Sequence, residues 1–111
     1  MAPHGPGAFH VKRDARDRAF SKAVRERDGY RCQRCGGGQY LTSSRGLHSA
    51  HMFSRGKLAT RWDMENACAL CYGCHQYLDT HPDLKREFFR LRLGDDVFEA
   101  LELRSNQRVK A

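Results

Sequence analysis

The stretch LCYGCHQYLD, residues 70–79, decides the fold expected for this chain. It contains a Cys-x-x-Cys pair and, directly behind it, a histidine at what looks like the first turn of a helix. A structural zinc site uses the two cysteines but needs no further donor beside them. His75 therefore indicates a second function for this turn. We expect the helix to run from Cys71 through at least Leu78 and to end before the His-Pro pair at 81–82.

A second Cys-x-x-Cys pair lies earlier in the chain, so four cysteines are available for one tetrahedral Zn²⁺. The ligands expected for this structural zinc are Cys32, Cys35, Cys71 and Cys74. The 35 residues between the two pairs exceed the ~15 to 20 of a simple zinc ribbon, which indicates an inserted element. The fifth cysteine, Cys68, is expected to be buried nearby as a small apolar residue; the alternative is that it replaces one of the four ligands.

The chain has 111 residues, which indicates one domain with a small core that metal or partners help to stabilise. We expect a disordered tail over residues 1–10, which begin with the Pro/Gly-rich MAPHGPG, and a single domain over 11–111. The cysteine count is odd, no signal-peptide pattern opens the sequence, and no apolar run approaches the ~20 residues that span a bilayer. These features predict reduced thiols, a cytoplasmic location and no membrane partner.

Positive charge is concentrated in the first half of the chain. Residues 11–36 hold nine Lys or Arg against four acids, 37–67 hold four against two, and 68–111 hold seven against seven. This distribution is typical of a nucleic-acid-binding protein, although a solubilised surface gives the same composition. The side chains expected to contact phosphate if DNA is bound are Arg25, Arg55, Lys57 and Arg61.

Caps and apolar spacing predict a small α+β fold. A basic helix begins at the N-cap Asp14, and LHSAHMF, residues 47–53, forms a short strand. The polar loop after it leads to a second short strand or straight into the second cysteine pair. Two amphipathic helices are expected within 83–107, the second capped by Asp95 or Asp96. Their apolar faces are expected to comprise Leu84, Phe88, Phe89, Leu91, Val97, Phe98, Leu101 and Leu103.

His51, Asn66 and His75 follow one another in an order that resembles the HNH endonuclease family. The likeness covers about residues 27–80 and includes RDGYRCQRCG, AHMF and NACALCYGCH. The resemblance implies a ββα-metal core with structural zinc, flanked here by the basic N-terminal helix and the C-terminal helices. It also implies that His51 is the general base, that Asn66 braces the hairpin and that His75 binds the catalytic metal.

Phosphodiester hydrolysis gives independent reasons for these residue types. The ordinary pKa of histidine allows it to take a proton from water near neutral pH. A divalent cation, Mg²⁺ or another such as Mn²⁺ or Ni²⁺, takes up charge that develops on the phosphate oxygens. Family members usually carry a metal ligand just before the base, where this chain has Ala50. We favour Asp79, one turn after His75, as the replacement over His81; His48 is expected to reach the metal through a water or not at all.

The function that the resemblance implies is metal-dependent hydrolysis of DNA phosphodiester bonds, by nicking or double-strand cutting. The chain is similar to small phage or prophage HNH proteins, which implies a bacterial cytoplasm and partners in packaging or recombination. The phage NinG-type nucleases are a more distant resemblance, because they have Asn where His75 stands here. The alternative function is a non-catalytic, zinc-stabilised module that binds nucleic acid. Packaging, recombination, homing and defence are all compatible with these residues.

Overall fold

The structure, a computed structural model, describes residues 12–37 and 46–109. The predicted tail over 1–10 lies outside these residues, as do residues 38–45. The described residues form four α-helices and one two-stranded sheet, the small α+β fold that the sequence predicts. The elements are α1 (Ala15–Arg27), β1 (Leu47–His51), β2 (Ala67–Cys71), α2 (Tyr72–Asp79), α3 (Pro82–Leu93) and α4 (Asp95–Ser105). None of these helices has the length and apolar character needed to cross a membrane.

Helix α1 begins with the cap that the sequence predicts. Asp14 Oδ1 accepts from the backbone N–H of Asp17 at 2.9 Å, and Asp17 Oδ2 accepts from the N–H of Asp14 at 3.0 Å. The helix stops shortly before Gly29, whose φ of +67° is a conformation that glycine adopts readily. Phe20 and Val24 are buried against β2, so α1 packs across the sheet.

The two strands are antiparallel and lead directly into a helix. Leu47 lies opposite Cys71 and His51 opposite Ala67. Every residue from Ala67 to Leu70 is buried, because α1 covers one side of β2 and the C-terminal helices cover the other. Cys71 is both the last residue of β2 and the N-cap of α2. Of the two alternatives for the segment before the second cysteine pair, the structure has the second strand. The element order is β1, β2, α2.

Helices α3 and α4 bury a narrower apolar face than the sequence predicts. Phe89, Phe98 and Leu101 are fully buried. The prediction is wrong for four side chains that are exposed: Leu84, Leu91, Val97 and Leu103. The guanidinium groups of Arg86 and Arg90 lie 4.9 and 4.7 Å from the centre of the Phe98 ring. Two charged side chains, rather than the exposed leucines, thus cover the Phe98 ring.

The chain turns between α3 and α4 at Gly94, whose φ of +89° is strained for other residues. Gly94 is the N-cap of α4 and makes no side-chain cap bond, so the prediction that Asp95 or Asp96 caps this helix is wrong. Both acids lie in its first turn instead, where negative charge stabilises the partially positive helix start.

Candidate functional site

The two Cys-x-x-Cys pairs meet where β2 passes into α2. The Sγ atoms of Cys32, Cys35, Cys71 and Cys74 all lie within 4.8 Å of one another. Those of Cys35 and Cys71 are 3.8 Å apart, and the ~2.3 Å Zn–S bonds of a tetrahedral site would place sulfurs ~3.8 Å apart. In each pair the N–H of the second cysteine donates to the sulfur of the first at 3.4 Å. This four-cysteine cluster can hold zinc or another metal ion.

Burial makes the thiolates of Cys71 and Cys74 costly unless a cation is present. Burial raises the pKa of Cys74 to about 12, although Arg34 Nη1 donates to its sulfur at 3.4 Å and opposes the rise. Burial also raises the pKa of Cys71. At Cys32 burial acts in the same direction, but backbone N–H groups outweigh it and bring the pKa to about 7. A bound metal ion would supply the positive charge that turns all four thiols into ligands.

Cys68 is fully buried in β2 and is not part of the four-cysteine cluster. It packs in the core with Leu70 and Phe89. Burial raises the pKa of its thiol to about 12, so it is protonated and unreactive near neutral pH. The structure thus gives Cys68 the buried, apolar position that the sequence favours.

His51, the last residue of β1, is held in one orientation. Its Nε2 lies 2.8 Å from the backbone carbonyl oxygen of Arg61. A carbonyl oxygen can only accept, so Nε2 carries the proton and Nδ1 is left as the acceptor on a neutral ring. The Phe20 ring centre is 5.4 Å from that of the imidazole, and burial lowers the pKa of His51. A neutral histidine with this tautomer is suited to take a proton from water at Nδ1.

Asn66 is fully buried and holds the loop that follows His51. Its Oδ1 accepts from the backbone N–H of Phe53 at 2.8 Å. Its Nδ2 donates to the carbonyls of Phe53 and Thr60, at 2.8 and 3.0 Å. These three bonds supply a geometric basis for the bracing role that the resemblance implies.

Replacing Asn66 with alanine is expected to lower the free energy of unfolding by ~2–4 kcal/mol, because buried backbone groups of Phe53 and Thr60 lose their partner. Urea unfolding of the metal-loaded protein measures the loss. Asn106→Ala is the matched control, since Asn106 is exposed and accepts from Lys57 at the surface; it is expected to cost less than ~1 kcal/mol. Equal losses for the two variants would show that Asn66 does not brace the loop.

His75 lies in the first turn of α2 with both ring nitrogens engaged. Its Nδ1 is 2.9 Å from Nδ1 of His48, and its Nε2 is 3.3 Å from Asp79 Oδ2. Burial lowers the pKa of His75, and the Asp79 carboxylate opposes this change. His48 and Asp79, both candidate metal ligands, therefore contact opposite nitrogens of the His75 ring. Imidazole and carboxylate are donors that suit divalent transition metals.

The two remaining histidine candidates, His48 and His81, have different surroundings. His48 contacts His75 directly, because β1 pairs with the strand that leads into α2. The expectation that His48 reaches the catalytic metal through a water, or not at all, stays a prediction. His81 follows α2 and stacks on Tyr77, with ring centres 4.2 Å apart. It is not among the residues that line the cleft around His75.

His51 and His75 line one open cleft of about 320 Å³, here called the histidine cleft. Its lining residues come from α1 and the segment before it, from β1 and the loop behind it, and from α2 and α3. Three of them are basic: Arg13, Arg55 and Lys85. A neighbouring groove, here called the arginine groove, shares Arg13 and His75 with the cleft and is also lined by Arg18, Arg25 and His48. This continuous basic surface can bind an anionic chain.

The four predicted phosphate contacts have different surroundings. Arg25 lines the arginine groove, and Arg55 lines the histidine cleft with its Nη1 3.5 Å from Asp17 Oδ2. Lys57 lies away from both, where it donates to a side-chain amide at the end of α4. The prediction for Arg61 is wrong, because this residue is only 7% exposed and its guanidinium binds the Asp17 carboxylate through two hydrogen bonds.

Sequence reasoning missed three basic side chains of this surface. Arg13 lines both openings, Arg18 lines the arginine groove, and Lys85 lines the histidine cleft. Helical spacing could have paired Arg18 with Arg25, since residues seven apart lie on the same face of a helix. Lys85 belongs to α3. Because α3 packs beside α2, Lys85 Nζ lies 2.9 Å from Asp79 Oδ1, a contact that the sequence pattern does not reveal.

Comparisons of this chain with protein-family models, with curated proteins and with solved structures found no match. The function proposed below therefore rests on the residues, their geometry and the resemblance of short motifs.

Proposed function

We propose that the protein is a metal-dependent endonuclease of the HNH type that hydrolyses DNA phosphodiester bonds. The observation that carries this proposal is the neutral His51, bonded through Nε2 to a backbone carbonyl and lining a basic cleft together with His75. The element order supports it, because His51 ends β1 and His75 lies in the first turn of α2. These are the places that a ββα-metal core gives to its base and to its metal-binding histidine.

In this proposal the four-cysteine cluster holds a structural zinc ion. Cys71 is the N-cap of α2, and its sulfur accepts from the N–H of Cys74. A metal bound there would fix the first turn of the helix and, with it, the position of His75. His75, the donor directly behind Cys74, would then bind a second metal.

His51 is the general base of the proposed reaction. A water molecule in the histidine cleft gives its proton to Nδ1 while its oxygen attacks phosphorus. The bond to the leaving deoxyribose oxygen breaks, and that oxygen takes a proton from solvent. The Arg61 carbonyl keeps its bond to Nε2–H and stabilises the imidazolium that forms. A divalent cation held by His75, together with His48 or Asp79, would take up charge that develops on the phosphate oxygens.

DNA is the proposed partner because the histidine cleft and the arginine groove offer arginine and lysine to a polyanion. Such contacts supply affinity without reading sequence, so weak sequence specificity is expected. The motif resemblance extends the proposal to a phage or prophage enzyme that acts in a bacterial cytoplasm with packaging or recombination partners.

Nicking of supercoiled plasmid by the purified protein tests the proposal. We expect cleavage that requires Mg²⁺, Mn²⁺ or Ni²⁺ and stops when EDTA is added. The His75→Ala variant is expected to lose this activity while it retains the metal bound by cysteine. A protein that shifts plasmid in a gel but cuts it with none of these cations would instead be the non-catalytic nucleic-acid-binding module.

DNA binding is expected to depend on salt and on the arginine groove. Arg18→Ala and Arg25→Ala should each weaken binding and reduce the slope of log K against log salt concentration by ~1, because each removes a phosphate contact. Arg108→Ala is the matched control, since Arg108 lines a different groove beside Lys57. Fluorescence anisotropy of a labelled duplex over a salt series measures the slopes. The same change in slope for all three variants would argue against the groove as the binding surface.

A further inference from the structure

We infer that the buried ion pair between Asp17 and Arg61 fixes the tautomer of His51, so that both are positioning residues for the general base. The catalytic meaning of this inference rests on the proposed function, but the tautomer itself can be measured without any cleavage. The connection runs through Arg61, whose guanidinium and backbone carbonyl bind two different partners.

Arg61 is anchored to α1 by its side chain. Its Nε donates to Asp17 Oδ1 at 3.0 Å, and its Nη2 donates to Asp17 Oδ2 and to the Lys12 carbonyl. The planar guanidinium matches the carboxylate in this two-bond arrangement, which fixes orientation as well as distance. The neighbouring Trp62 donates its indole N–H to the same Oδ1 at 3.1 Å. Two successive loop residues are thus attached to one carboxylate.

Asp17 is itself held by the start of α1. Its Oδ2 accepts from the Asp14 N–H at 3.0 Å, and only 4% of the residue is exposed. The hydrogen bond from Arg61 holds the pKa of Asp17 well below its usual range, so the carboxylate is charged near neutral pH. A buried charge pair adds little net stability, but leaving either partner alone is costly. Loop arrangements that separate Arg61 from Asp17 are therefore strongly disfavoured.

This anchoring places the Arg61 carbonyl 2.8 Å from His51 Nε2. Helix α1 also contributes Phe20, three residues after Asp17, whose ring packs against the imidazole. One helix therefore restrains both the acceptor and the histidine. A ~1 Å shift of the carbonyl would weaken the Nε2–H bond and allow the Nδ1–H tautomer, which presents a proton where the base needs a lone pair.

Long-range ¹H–¹⁵N NMR of the imidazole rings tests the inference, with His51→Ala used to assign the signals. Wild-type protein is expected to hold His51 as the Nε2–H tautomer near neutral pH. Asp17→Asn and Arg61→Lys are expected to show a mixture of tautomers. In the nicking assay both should lower kcat by ~10- to 100-fold with little change in KM for DNA. Arg61→Lys keeps the positive charge and much of the side-chain length, so it serves as the folded variant where Asp17→Asn loses stability.

Arg104→Ala is the control for loss of an ion pair on the same loop. Arg104 donates from α4 to Asp63 at 3.0 Å and to Glu65 at 2.8 Å. Its removal should leave the His51 tautomer unchanged. An Nδ1–H tautomer in the wild type, or an unchanged Nε2–H tautomer in folded Arg61→Lys, would overturn the inference. Absence of cleavage by the wild type would overturn the proposed function alone, since the tautomer result does not depend on it.

Discussion

Replacing Cys32 with serine is expected to release the bound metal and to leave most of the protein unfolded under conditions in which the wild type is folded. Cys32 and Cys74 belong to the same buried cluster as Phe89 and Phe98, so the four-cysteine cluster is continuous with the core. Zinc binding in small domains is worth on the order of 10 kcal/mol, comparable to the entire stability of a typical domain. Far-UV circular dichroism and zinc content of the same samples check this result.

The fifth cysteine provides a matched control. Cys68→Ala removes one buried sulfur from β2 without touching the four-cysteine cluster, and it is expected to cost ~1–2 kcal/mol while one zinc per chain is retained. The explanation of the cluster as a structural metal site fails if Cys32→Ser is folded, metal-free and as stable as Cys68→Ala.

Replacing His51 with alanine is expected to lower the rate of plasmid nicking by ~10²- to 10⁴-fold, the usual contribution of a general base. The four cysteines are untouched, so one zinc per chain should remain. Single-turnover nicking with saturating protein separates this loss from any change in DNA binding. His81→Ala is the matched control, because His81 stacks on Tyr77 outside the histidine cleft, and its rate should equal that of the wild type.

The pH dependence of wild-type nicking supplies a second check on His51. Burial lowers its pKa below the ordinary value for histidine, and only the neutral ring can accept a proton. The rate should therefore fall as the pH drops through this lowered pKa and be level at higher pH. A fall that begins above the ordinary pKa of histidine, or a wild-type rate in His51→Ala, would assign the base to another group.

Local chemistry predicted the parts of the fold whose residues are close together in the chain. The cap of α1 joins Asp14 to a residue three positions away, and a Cys-x-x-Cys pair needs only one turn. The first strand, predicted over residues 47–53 and observed over Leu47–His51, and the helix behind Cys71 also follow from short patterns. The cap and the cysteine turn are specified by contacts between residues three positions apart, whereas the strand needs β2 as its partner.

Side chains whose partners are distant in sequence were not predicted. Arg61 lies in a polar loop, where an exposed arginine and a buried one have the same sequence signature; its partner Asp17 is 44 positions away. His48 meets His75 only because β1 and β2 pair in one register. Leu91 and Leu103 were expected to be buried and are exposed for a similar reason. The apolar period of a helix does not reveal how much of its apolar face another element covers.

Crystals of the His51→Ala variant with duplex DNA and Mn²⁺ provide the most direct test of whether this chain holds two metals with separate functions. Anomalous scattering locates both ions in one measurement. We predict zinc at the four cysteines and manganese beside His75, with a DNA phosphate next to it. A single metal at the cysteines, with DNA bound away from the histidine cleft, would contradict the nuclease assignment.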